Sequence, residues 1–136
     1  MKVVEPEQID ALIPFLDKFE EAGFSAGTWK TGTGHFPWFN SNQVVMEFIE
    51  ALYANNWVMR DFDWVEWQKA AQRYIESGEL VESADAVTIQ KLLTTHARAD
   101  RFRESHFASM FEAGHLLAIL RRLRVLRAEM NQKGEQ

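Results

Sequence analysis

Residues 94–123 read TTHARADRFRESHFASMFEAGHLLAILRRL. The stretch gathers His96, His106 and His115, the arginines Arg98, Arg101 and Arg103, and the carboxylates Asp100, Glu104 and Glu112. Apolar residues recur between them at helical spacing. From about 86 to 112 the phase runs on without a glycine or proline, which predicts one long helix. At 100° per residue Ile89, Leu92, Leu93, Ala99, Phe107 and Met110 share one stripe, and His96, Asp100 and Arg103 fall inside it. Arg98, Arg101 and Glu104 fall outside. An imidazole, a carboxylate and a guanidinium are therefore expected to face the interior together. Charged groups are rarely buried unpaired, because desolvation costs several kcal/mol per ion, so partners are expected for each. Gly114 breaks the pattern, and 115–130 forms a last helix. Its stripe is Leu116, Ile119, Leu120, Leu123, Leu126 and Met130; Arg121, Arg122 and Arg124 lie outside.

Working outward, helix is expected over 6–21, with Ile9, Leu12, Ile13, Leu16 and Phe19 on one face and, because of Pro14, a kink or two short helices. Residues 24–40 (FSAGTWKTGTGHFPWFN) lose the periodicity and are rich in glycine and aromatics. They predict a short β-hairpin turning at 31–34, or an ordered loop pinned by its rings. A helix over 42–54, capped by Asn40 or Ser41, presents Val44, Val45, Phe48, Ile49 and Leu52. Asp63 and Glu66 have capping-box spacing for a helix over 64–76 that Gly78 ends. Ser83 or Asp85 opens the long element. The fold class is thus mainly α: a compact bundle of five to six helices with at most a small β-hairpin near 24–40. A single domain spans 1–130, with a disordered tail at 131–136.

A chain of 136 residues can bury a core without metal or disulfide. It has no cysteine, so thiolate catalysis and cysteine-based metal sites are excluded. No signal peptide or membrane-spanning run is expected, and a cytoplasmic location fits. The net charge of −5 hides an asymmetry. Residues 1–90 carry 6 Lys/Arg against 15 Asp/Glu, whereas 91–136 carry 9 against 5. An acidic body answering a basic end, within the fold or between copies, is the leading reading.

No nucleophile elbow, catalytic triad or phosphate loop is present; Lys30-Thr-Gly-Thr-Gly34 lacks the ending a phosphate loop needs. No cofactor is implied. The leading functional expectation is a non-enzymatic binding or interaction module. Its contact region would be His96, Asp100, Arg101 and Arg103, with His35 and Trp38 leaning over it from the aromatic loop. An unknown protein or small anionic ligand would be held by forked guanidinium donors, and a homo-oligomer is possible. The first alternative is a metal-assisted hydrolase or lyase with His96, Asp100 and His106 as ligands, or His115 completing the shell, and Glu104 as general base. It has no H-E-x-x-H or H-x-H behind it. The second is a nucleic-acid binder through Arg121, Arg122 and Arg124, which the acidic chain disfavours.

The runs LLTTHARADRFRE (92–104) and FEAGHLLAILRRL (111–123), with GHFPWF (34–39) and ALYANNWV (51–58), resemble a bacterial family of small cytosolic proteins of unknown function. The likeness covers about 8–125. It implies that 92–104 and 114–123 carry the family character, and it implies no activity, substrate or cofactor.

Overall fold

The computed structural model describes residues 3–134 apart from Thr33, His35 and Glu104. Helix α6 (Ala86–Phe102) runs through the centre. Asp85 caps it by accepting from the Thr88 N–H, and these bonds hold the Asp85 carboxyl below its ordinary value. From Ile89 to Ala97 its residues are buried, apart from half-buried Lys91. A helix enclosed on nearly every side must satisfy its polar residues locally. Thr94 donates to the Trp57 carbonyl at 2.9 Å and accepts from the Met59 N–H at 3.1 Å, while Gln90 donates to the Asn56 carbonyl. These bonds fasten the apolar link 56–59 to the centre and place Trp57, fully buried, in the core.

Against α6 pack α3 (Gln43–Ala54), α4 (Trp64–Glu76), α7 (His106–Glu112) and α8 (His115–Gly134), and α1 (Pro6–Asp10), α2 (Ile13–Phe19) and α5 (Gly78–Glu82) pack against α8. The mainly α bundle with one small hairpin matches the sequence expectation. The helical pattern is divided more finely than five or six. Pro14 stands in the first turn of α2, where its missing N–H costs nothing, so of the two expected outcomes the chain takes two short helices. Asn42 caps α3, one residue beyond the expected positions. Gly78 ends α4 but also opens α5. The largest departure is at 103–105, where the expected continuous 86–112 helix breaks into α6 and α7. Arg103 is extended and Ser105 is left-handed at φ 69°.

Strands β1 (Gly27–Lys30) and β2 (Trp38–Ser41) pair antiparallel, with Trp29 opposite Phe39 and Lys30 opposite Trp38. Gly27, at φ 152°, lies against the partner strand; a Cβ there would collide with the Asn40 carbonyl and the Phe39 ring.

The basic end answers the acidic body. Arg121 pairs with Glu20, Arg127 with Asp10 at 2.8 Å, and Arg122 donates to the Ala84 carbonyl. Much of the positive face of α8 is therefore engaged within the fold, and Arg124 stays exposed. Among the described residues no helix is long and apolar enough to cross a membrane. Thr94→Val should cost about 1–3 kcal/mol, because it leaves a buried N–H and a buried carbonyl unpaired. Arg121→Ala, at an exposed pair, should cost less than about 1 kcal/mol. Urea unfolding of both variants checks the contrast.

Candidate functional site

Where α6, α7 and α8 meet, three imidazoles form a chain. His96 Nδ1 lies 3.0 Å from His106 Nε2, and His96 Nε2 lies 2.9 Å from His115 Nε2. Each ring comes from a different helix. His96 points inward from the middle of α6, and His106 and His115 are the first residues of α7 and α8. The left-handed residues Ser105 and Gly114 stand immediately before those two helices. His96 is 1% exposed and His115 3%, whereas His106 is half-buried. Phe107 stacks edge-on to both His96 and His106.

Contacts this short between ring nitrogens require a proton in each link. Neutral imidazoles supply it, each donating from one nitrogen and accepting at the other. The dominant influence on each ring, burial, favours that neutral state. Burial holds His96 well below its ordinary value, reinforced by the His115 and His106 rings. Burial, then the His106 ring, draws His115 down to about 4, against a small opposing pull from the Tyr74 backbone. Burial, then the Arg103 guanidinium, lowers His106. His106 and His115 also sit at helix N-termini, where the backbone dipole disfavours a cation. His115 Nδ1 is buried with no hydrogen-bond partner among the described residues.

The other expected site residues are dispersed. Asp100 does not turn to His96; its Oδ1 accepts from the Phe107 N–H at 3.3 Å and so caps the first turn of α7. Burial raises its pKa, opposed by that bond. Arg101 is exposed and lies 5.0 Å over the Tyr53 ring. Arg103 is exposed in the break, so the inward turn expected of it does not occur: α6 ends one residue earlier. Trp38 lies on the hairpin, which joins the start of α3. Tyr53, under Arg101, is in the last turn of that helix, about 16 Å away along its axis. No contact joins Trp38 to the histidines among the described residues. His35 and Glu104 lie outside the described residues, so neither the expected lid contact nor the expected general base is placed.

Sequence reasoning grouped His106 and His115 with His96 only as ligands of a possible metal, not as rings bonded to one another. Spacings of ten and nine residues match no single-helix pattern, and only the two helix breaks bring the rings together. The chain is not shaped as a metal shell. His96 meets its neighbours through different nitrogens, so one ion cannot take all three rings. Nitrogens ligating one tetrahedral zinc would stand about 3.3 Å apart around a shared centre. Among the described residues no group of three or more His, Asp or Glu is arranged to hold a metal. An open cleft of about 520 Å³ lies elsewhere, beside α4, lined by Met59, Phe62, Trp67 and Lys91 among others.

The chain belongs to a family of unknown function, DUF6508, which matches residues 4–129. No curated protein and no solved structure matches it.

Because the folded rings bind protons more weakly than unfolded ones, the stability they contribute is complete above the unfolded value near 6.5. It is lost as pH falls below that value toward their folded values. Buried His96 and His115 should each contribute a slope of up to about 1.4 kcal/mol per pH unit over this window. Urea unfolding between pH of about 7.5 and 4.5 should show stability falling on the acid side, and a flat profile would contradict a neutral chain.

Proposed function

We propose that this protein is a non-catalytic interaction module that takes an extended, partly acidic segment of a partner polypeptide on its aromatic hairpin. The carrying observation is the exposure of large rings there: Phe36 is 93% exposed, Trp29 56% and Trp38 42%. Large exposed aromatics grouped on one element are the usual anchors of a contact surface. Trp29 rests edge-on against Phe39 at 5.4 Å and is held ready without being covered. The sheet has two strands, and no third flanks either edge among the described residues. An extended chain added at an edge would gain main-chain hydrogen bonds and set alternate side chains against the rings. Lys30, opposite Trp38, supplies a cation for a carboxylate on that chain.

The histidine chain then serves the fold, not the contact. Both nitrogens of His96 are engaged with other rings, which leaves the metal-assisted alternative without an open ligand at its centre. The exposed Arg101 and Arg103 support a second reading, a small anionic ligand held beside Phe102, itself 82% exposed.

Peptides selected on the full chain from a displayed random library test the proposal. Binding of a selected peptide should weaken at least about tenfold in Trp29→Ala and in Trp38→Ala, and should be unchanged in Arg101→Ala. A failure to select any peptide, or one whose binding ignores both tryptophans, would overturn it. Dependence on Arg101 would favour the anion reading. A dimer in sedimentation that Trp38→Ala dissociates would make a second copy the occupant.

A further inference from the structure

We propose that the His106–His96–His115 chain is a proton-operated latch on the first turn of α7, closed when neutral and opened by uptake of two protons. The proton count follows from the two ring-to-ring links. Three neutral imidazoles hold one proton each; two of these fill the links and the third sits on an outer nitrogen.

Half-buried His106 is the chain's approach to solvent, because His96 and His115 are enclosed. A first added proton therefore enters there. The chain can absorb it by shifting protons along the links, which ends with N–H groups on both outer nitrogens. Each link still contains one proton and one lone pair, so both hold. The buried His115 Nδ1 then carries an N–H, and the Tyr74 backbone favours the protonated form of that ring. A second added proton has no such place. It must enter a link, where two N–H groups then face each other and two cations share a buried space, so that link opens.

The link that opens is the one to His106. His115 is anchored on the 20-residue α8, whereas α7 has seven residues and begins at the strained Ser105. The charged groups around the latch act in the same direction. Arg103 repels a charge on His106. Asp100 holds the first turn of α7 through the Phe107 N–H, and burial raises its pKa, so acid also weakens that bond. From α4 the Tyr74 backbone acts on His115 and favours its protonated form. Opening would free Ser105–Phe107 and uncover the Phe107 ring, which is 1% exposed when the latch is closed. The latch is independent of the hairpin contact.

Amide hydrogen exchange on the full chain, corrected for intrinsic rates, tests it between pH of about 7.5 and 5. Protection of the first turn of α7 should fall by about tenfold per pH unit for each proton taken up, while that of 89–97 in α6 is retained. His106→Gln, which cannot be charged, should remove most of the pH response of the α7 protection and leave only the part due to Asp100, and Asp100→Asn should lower protection throughout but keep most of the response. Three results would overturn the latch. They are α7 opening only together with α6 and α8, a wild-type response absent over this range, and a response lost in Asp100→Asn but kept in His106→Gln. The last would transfer the trigger to the carboxylate.

Discussion

Two nitrogen-to-nitrogen hydrogen bonds, one on each side of His96, hold together the three helices that form the C-terminal half of this protein. Their energetic weight lies less in what they add than in what their loss would expose. A hydrogen bond inside a protein contributes on the order of 1 kcal/mol net, whereas a buried polar nitrogen left alone costs about 1–3 kcal/mol. The rings therefore act mainly as a register device. Sliding α7 or α8 along α6 by one residue would strand His96, which at 1% exposure has no water to turn to. A buried polar residue with both of its ring nitrogens engaged, as His96 has, specifies one arrangement in this way.

The surroundings of that chain follow the same economy. Thr94, two residues before His96, ties α6 to the 57–59 link through both donor and acceptor. Asp100, one turn after it, spends its carboxylate on the start of α7. Within two turns of a single helix a hydroxyl, an imidazole and a carboxylate thus each engage a different segment. These polar groups of α6 are the joints of the bundle, and the hairpin is where exposed aromatic surface is displayed.

Much of this was legible in residues whose signals are local. Asp63 and Asp85 cap the helices they were expected to introduce, and Gly114 announces its break because a left-handed residue is easiest for glycine. The inward turn of His96 follows from its phase with Ile89, Leu92 and Leu93. What was not legible is the break at 103–105. Ser105 adopts φ 69° without being a glycine, and the apolar phase of Phe107 and Met110 continues across the gap as though the helix had not stopped. That one hidden turn removes Arg103 from the interior, gives Asp100 a helix end to cap, and swings His106 back onto His96. That the three rings bond one another directly was unreadable, because tertiary contacts across two breaks leave no spacing rule. The hairpin was readable as a choice between strand and loop, decided by Gly27, whose missing side chain lets the two strands close.

The most direct measurement is nitrogen-15 magnetic resonance of the histidine rings near neutral pH. A closed neutral chain predicts one protonated and one bare nitrogen on each of His96, His106 and His115, with scalar coupling transmitted through the hydrogen bonds that join His96 to its neighbours. Imidazolium signals from His96 at neutral pH, or rings that show no coupling and exchange freely with solvent, would contradict it.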